Sequence, residues 1–600
     1  MPAYKAPIRD IQFVMHEMFD AEKNYQNFPE YADQLTRDVL DQYLEATADF
    51  CENELAPLNQ SGDQEGCHLD QGVVTTPQGF KAAHQKYAEL GFTSLTADSA
   101  YGGQGLPTSL RIALSEMLYE ANWAWSMYQG LSHGAMRTLE HHGTAQQKQQ
   151  FLPKLIAGTW MGTMCLTESH AGSDLGLIRT KAEPQADGSY AITGEKIFIS
   201  AGEHDLAENI VHIVLARLPN APTGTKGISL FIVPKFNVDE SGNIQDRNHV
   251  VCSALEHKMG IHGNATCVMN FDEAKGFLIG PENRGLNCMF TFMNTARIGT
   301  AVQGVSASQM AFQGALDYAK DRLAMRALDG AKYPEKNADP IIVHPAVRSM
   351  LMTQKAFAEG GRALVYFLAQ HADIVEHSDD LQAKQFSDEL LAFLTPIAKA
   401  FLTETGNESA KHGVQIFGGH GFIVEHGMEQ IARDARISSL YEGTTEIQSL
   451  DLLARKVLKS EGKLLKNMTD LIEQFITENQ SSAILKPYLD QLSQLKTEWL
   501  DITQHIAKKA KNNPEEIGAA SVDYLYYSSY VVFAYLWARM AKIAQQKLDD
   551  GSTEHKFYQA KLKTAQFFYN KLLNRTQQHL ASIKTGAETV MALDAEDFAF

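Results

Sequence analysis

The stretch QIFGGHGFIVEHGMEQIARDARISSLYEGTTEIQ, residues 415–448, decides how the rest of the chain is read. It opens on Gly418, Gly419 and Gly421, where a backbone without Cβ atoms can come close to a ligand. It runs through Arg433-Asp434-Ala435-Arg436 and ends in Tyr441-Glu442-Gly443-Thr444-Thr445. A glutamate between Tyr and Gly suits a general base on a short loop, because the backbone can bend sharply there and the carboxylate can be desolvated. Alone, such a glutamate is more often a solvated surface charge. Its weight therefore comes from the sequence on either side.

Outward from this stretch, helical periodicity runs from about residue 283 to the C-terminus, broken by a polar insert at 328–340. Before it, from about 161 to 282, short β-branched runs alternate with turn residues: 190–192, 196–200, 210–216, 228–233 and 267–271. Earlier still the pattern is helical, over 36–55, 79–90, 109–122, 133–142 and 146–156. The Gly-rich loop at 101–107 lacks a strand–helix junction and GxGxxG spacing, so it reads as a turn that positions the next helix. Six hundred residues exceed what one core supports. The expected fold is multidomain α+β. It comprises an N-terminal extension (1–35) with a short amphipathic helix near Ile11–Phe19, a helical domain (36–160), and a central antiparallel β domain (161–282). A four-helix bundle carrying the catalytic loop (283–462) and an additional helical domain (463–600) complete it.

Composition narrows the function classes. The chain is 44% hydrophobic and 21% charged, with a formal charge of −19 that argues against wholesale nucleic-acid binding. Residues 466–600 hold fifteen Lys/Arg against sixteen Asp/Glu, so the tail offers no positive field to phosphates either. Six scattered cysteines without CxxC spacing read as reduced thiols, with no disulfide framework and no metal site. The N-terminus lacks a signal-peptide pattern. The run 522–538 carries Asp523 and five tyrosines and reads as a buried helix, not a span. A cytoplasmic location is expected.

Two further motifs complete the pattern: MCLTESHAGSD (164–174), at the start of the β region, and KIFISAG (196–202), on a strand within it. Together with 415–448, in this order and spacing, they closely resemble the acyl-CoA dehydrogenase flavoprotein family over about residues 36–460. The extension and the long tail resemble its larger subgroup, which includes long-chain fatty acyl-CoA and 3-methylmercaptopropionyl-CoA dehydrogenases. The resemblance implies FAD as cofactor, an acyl-CoA substrate, electron-transfer flavoprotein as acceptor and at least a homodimer. It implies that Glu442 is the base and that Arg297 orients the catalytic loop.

For FAD it implies Met164 among the contacts, Leu166 and Thr167 at the pyrimidine edge, Phe198 against the ring, Ser200 near N5, and Ser173 and Arg322 at the pyrophosphate. Gln415, Gly418 and Gly419 match positions that reach the adenosine half of FAD on a neighbouring subunit, and Thr444 and Glu446 match adenine-side contacts. The chain departs from the family pattern in several places. Phe-Ile-Ser-Ala stands for the common Trp-Ile-Thr-Asn, Leu177 for a small residue, Gln430 for a basic one, Glu446 for a neutral amide and His262 for an arginine.

The chemistry fits these residue types. Abstracting a proton α to a thioester needs a base stronger than an ordinary carboxylate, and exclusion of water by the acyl chain raises a carboxylate's basicity. Medium-to-long acyl chains are the leading expectation. A short thioether acyl-CoA, an oxidase that reduces O₂, and a DNA-binding relative remain as alternatives.

Overall fold

The computed structural model describes residues 2–28, 30, 31 and 34–599. The chain divides into two compact units, Ala46–Gly299 and Met1–Glu45 with Thr300–Phe600.

The first unit begins with helices. α1 (Arg37–Phe50) enters it from the other unit, and α2 (Phe80–Glu89), α3 (Thr108–Ala121), α4 (Trp123–His142) and α5 (Ala145–Ile156) follow. α5 starts on a capping box in which the Thr144 and Gln147 side chains each bond the other's backbone. α4 begins ten residues earlier than its periodicity suggests. Asn122 caps it by accepting from Trp125 N, and the first turns are buried on nearly every face, which erases the amphipathic signal. The loop at 101–107 is the expected turn: a Cβ on Gly103 would fall 1.9 Å from the Ala97 carbonyl oxygen, so only glycine closes it.

Seven strands then form one sheet: β1 (Trp160–Cys165), β2 (Lys181–Pro184), β3 (Tyr190–Ser200), β4 (Asn209–Ala216), β5 (Ser229–Pro234), β6 (Val250–Leu255) and β7 (Thr266–Ile279). The order is β1-β4-β5-β7-β3-β2, with β6 also pairing β7. Every pair is antiparallel except β1 with β4, which run parallel from Trp160↔Asn209 to Cys165↔Val214. A parallel pair needs a long crossover, and here β2 and β3 lie within it. The two expected short strands at 190–192 and 196–200 are one strand. Gly194 lies in its middle, where a Cβ would stand 2.5 Å from Thr180 Oγ1.

α4 lies against β1 at close range. Gly162 N donates to Ser132 Oγ at 3.0 Å, and a Cβ on Gly162 would meet Ala135 Cβ at 2.4 Å. Trp160, Phe151, Leu152, Val211, Ile213 and Leu230 fill the core there, each contributing about 1.5–3 kcal/mol by leaving water.

The second unit is helical. α6 (Gly285–Asp321) carries over into it, followed by α7 (Pro345–His377), α8 (Leu381–Phe417), α9 (Met428–Arg436) and α10 (Thr445–Leu450). The tail adds α11 (Lys463–Asn479), α12 (Lys486–Ala510), α13 (Glu515–Asp549), α14 (His555–Phe567) and α15 (Arg575–Thr585). α6 and α8 touch backbone to backbone: a Cβ on Gly304 would lie 2.3 Å from the Leu402 carbonyl oxygen. α13 contains the tyrosine-rich run, with Tyr524, Tyr527, Tyr530 and Trp537 buried. Among the described residues no helix is long and apolar enough to cross a membrane.

The polar insert folds around buried Asp339, whose carboxylate accepts from the backbone N–H groups of Ala327, Lys332 and Tyr333 and from Arg326. The N-terminal extension packs into this unit too. Phe13 meets Phe557 edge-on at 5.7 Å, Phe19 stacks on Phe367, and Lys561 pairs with Asp10 and Glu359.

Candidate active site

The expected site residues fall in both units. In the first, β3 runs beside the chain that leaves β1. Ile197 N donates to the Thr167 carbonyl at 2.9 Å, and Thr163 Oγ1 donates to the Ser200 carbonyl at 2.6 Å. These bonds gather Met164, Leu166, Thr167, Phe198 and Ser200 along one edge. Phe198 stands out on it: its side chain belongs to a residue 60% exposed, held at φ +59°, and Ala201 at φ +55° turns the chain off the strand. An exposed aromatic ring costs solvation free energy, and a left-handed φ costs an L-residue conformational energy. Both signs are characteristic of a surface kept for a ligand.

Behind this edge lies a buried ion pair that the sequence did not single out. Lys196, fully buried, donates to the Leu166 carbonyl at 3.0 Å and to Glu168 Oε1 at 2.9 Å. Glu168 also accepts from Arg179 N, Thr180 N and Thr180 Oγ1. Burial pushes its carboxyl up, but the Lys196 charge and these hydrogen bonds outweigh burial and hold it down at about 2. The pair fixes the chain direction at Leu166 and Thr167. Its sequence signal is weak, since Lys196 opens the expected strand 196–200 and Glu168 lies in the 164–174 motif, where charges also fit solvated residues.

Ser173 lies on the exposed loop that follows, between the paired Glu168 and Ala171 backbones and the 3-10 turn Leu175–Leu177, and Leu177 is itself exposed. His262, the stand-in for arginine, contacts Asp63 Oδ1 at 3.0 Å and the Lys258 carbonyl at 2.8 Å. Arg297 is half-buried on α6.

In the second unit the Tyr441–Thr445 loop joins α9 to α10. Glu442 is half-buried and sits at φ +56°, followed by Gly443 at φ +88°. Neighbouring helices grip the loop residue by residue. The Tyr441 hydroxyl bonds Gln303, Gln448 Nε2 donates to the Glu442 carbonyl at 2.8 Å, and Lys399 Nζ donates to the Gly443 carbonyl at 2.6 Å. Thr445 Oγ1 donates to Glu404 at 2.6 Å, and Thr444 caps α10 by accepting from Ile447 N. Lys399 and Gln448 are buried polar residues that sequence reasoning missed. A lysine inside the apolar run Ile397-Ala-Lys-Ala-Phe-Leu402 is the signal that could have found the first.

Gln415, Gly418, Gly419, Arg322 and Glu446 are exposed. A Cβ on Gly418 or Gly419 would meet nothing within 4 Å, although Gly418 needs its freedom for φ +58°. Gly421 is the glycine required by packing, 2.3 Å from the Val414 carbonyl oxygen. Next to it Tyr318 stacks on Phe417 at 4.0 Å and its hydroxyl bonds His420. Buried Gln430, in place of a basic residue, approaches Asp434.

Comparison with known proteins settles what these motifs belong to. Family models match in chain order: acyl-CoA dehydrogenase N-terminal domain over residues 38–159, middle domain over 163–274, and C-terminal domain over 283–458. A fourth, acetyl-CoA dehydrogenase C-terminal like, matches 465–594. The chain belongs to the acyl-CoA dehydrogenase family. The 3-methylmercaptopropionyl-CoA dehydrogenase of Ruegeria pomeroyi is 40% identical over 95% of this chain and 96% of its own. The broad-specificity linear acyl-CoA dehydrogenase FadE5 of Mycobacterium tuberculosis is 34% identical over the full length of both.

The fold is shared with Caenorhabditis elegans ACDH-11, solved in complex with C11-CoA. That structure has a TM-score of 0.80 at 19% identity, covering 99% of this chain and 96% of the other. As a member of this family, in the larger subgroup with the extra C-terminal domain, the protein is an FAD-dependent oxidoreductase acting on CH–CH bonds. The residues present fit that cofactor. Exposed Phe198 beside the hydroxyl-bearing Thr167 and Ser200 offers an apolar face with polar neighbours, as a flat heteroaromatic ring requires.

Proposed function

We propose that this acyl-CoA dehydrogenase converts a medium-to-long fatty acyl-CoA to the trans-2-enoyl-CoA in fatty acid β-oxidation and passes the electrons to an electron-transfer flavoprotein. The observation that carries the reading is the glutamate held at a left-handed φ on a loop gripped from several sides. When bound, FAD supplies the sink for the β hydrogen.

Glu442 takes the α proton, Arg297 orients its loop, and the Glu442 backbone N–H bonds the thioester carbonyl, which acidifies that proton. Met164, Leu166, Thr167, Phe198 and Ser200 hold the ring end of FAD, and Ser173 and Arg322 hold the pyrophosphate. Gln415, Gly418 and Gly419 reach the adenosine half on the second subunit of a homodimer, with Thr444 and Glu446 on the adenine side. An open groove of about 470 Å³ between residues 170–179 and 217–224 has His170 and Arg179 on its wall and suits the anionic part of CoA. A second reading, a short thioether acyl-CoA, is supported by the 40% identical relative that acts on one.

Anaerobic titration of the FAD-loaded protein with butanoyl-, octanoyl-, palmitoyl- and 3-(methylthio)propanoyl-CoA separates the two. Bleaching of the flavin band with enoyl-CoA formation, strongest for octanoyl- or palmitoyl-CoA, is the expected result. Strongest bleaching by the thioether substrate favours the second reading, and no bleaching by any of the four contradicts both.

A further inference from the structure

The loop geometry points to a positioning residue for the base: we propose that the buried ammonium of Lys399 locks the Glu442–Gly443 turn and so aims the Glu442 carboxylate. The inference rests on the reading of Glu442 as the base. Lys399 lies on α8 in an apolar run, with Ile397, Ala398, Ala400, Phe401 and Leu402 all buried and Lys399 itself 0% exposed. An ammonium is expensive to bury and persists in such a place only with strong partners. One of them is the Gly443 carbonyl at 2.6 Å, a charge-assisted bond of the stronger class.

Gln448, also 0% exposed, holds the carbonyl immediately before it, that of Glu442, at 2.8 Å. Two consecutive carbonyls are thus fixed from two different helices, α8 and α10. Between them they set the two successive peptide planes that follow Glu442 and Gly443 and keep Glu442 at φ +56°, a conformation an L-residue leaves when released. Tyr441 and Thr445 are tied down on either side by Gln303 and Glu404, so movement at the released turn concentrates on Glu442 and Gly443. The role assigned to Lys399 is positional. It acts through the turn.

The test uses full-length, FAD-loaded protein in anaerobic stopped flow, with the acyl-CoA of the series above that bleaches the parent. Lys399→Met keeps the length of the side chain and removes the donor. It should lower the limiting bleaching rate by about 100-fold, the cost of misplacing a reacting group by an ångström. The acyl-CoA concentration giving half the limiting rate, the flavin spectrum and the melting temperature should stay near parental values. Lys399→Arg, which restores a cationic donor, should recover most of the rate.

A parental limiting rate in Lys399→Met overturns the proposal. So does a change confined to the half-saturating concentration, or a rate loss that merely tracks loss of flavin. Should Lys399→Met fail to fold, Gln448→Leu releases the other carbonyl and should slow bleaching about 10-fold, a smaller displacement of the same kind; an unchanged rate there overturns the proposal equally. Glu442→Gln, run in parallel, keeps the two readings apart. If it bleaches normally, the base assignment fails. If it is inert while Lys399→Met is normal, only the role of Lys399 falls.

Discussion

Glu442 and Gly443 form a two-residue left-handed turn, and only the second of them is the residue type that such a turn prefers. The glycine was legible in the sequence and so was the glutamate, because both belong to a motif. The conformation that joins them was not, since it is imposed by Lys399 and Gln448 from elsewhere in the chain. A Cβ on Gly443 would meet Gln448 Nε2 at 2.7 Å and would also suffer from φ +88°. Gly443→Ala should therefore cost about 1–2 kcal/mol, seen as a lower midpoint in urea, and should slow flavin bleaching as well. A variant with parental stability and rate would mean that the turn is softer than its hydrogen bonds imply. Phe198 teaches a related lesson: alternation along the strand allowed it to be either core or surface, and the left-handed φ that puts the ring in solvent is a tertiary effect.

Among the elements, long amphipathic helices and β-branched strands were readable, the fully buried β4 and β5 included, whereas buried segments with neither signal were not. β1 is buried along most of its length, contains Gly162 and has no run of β-branched residues, so neither a period of two nor strong β propensity marks it. α13 was readable as a buried helix because its polar residues are few and its aromatics many. How the tail helices dock could not be read, because docking rests on contacts between residues far apart in the sequence.

One of these contacts is testable. Arg575 on α15 forms a bidentate pair with Glu408 on α8, at 2.6 and 2.8 Å, and also bonds Tyr530. Burial pushes the Glu408 carboxyl up, and hydrogen bonds and charge from His412 and Arg575 more than reverse it, to about 2 against an ordinary 4.5. Because the folded pKa is depressed, the stabilisation is complete above about pH 4.5 and is lost as pH falls through about 2. Arg575→Met should destabilise the protein by on the order of 2 kcal/mol at neutral pH. Between those two pH values the variant should lose less stability than the parent in chemical denaturation. Parallel pH profiles would exclude the pair as the source of the shift.

For the whole molecule, the tail is part of the second unit and not an appendage to it. Phe401 of α8 packs against Tyr530 and Phe533 of α13 at 5.0 and 4.9 Å, and Phe393 against Trp499 of α12 at 5.8 Å. Deleting residues 463–600 exposes these faces together. The truncated chain should lack a cooperative thermal transition and should aggregate; a folded, FAD-binding product would show that the tail is dispensable.

The proposed chemistry turns on Glu442 as the base, on the loop between α9 and α10. One measurement tests that claim most directly. Glu442→Gln, loaded with FAD, is mixed anaerobically with the acyl-CoA that bleaches the parent, and the flavin band is followed in time. The amide cannot accept the α proton, so the variant should keep its yellow colour and its affinity for acyl-CoA while bleaching slows by about 10²–10⁴-fold. Bleaching at the parental rate would contradict the assignment of Glu442 as the base.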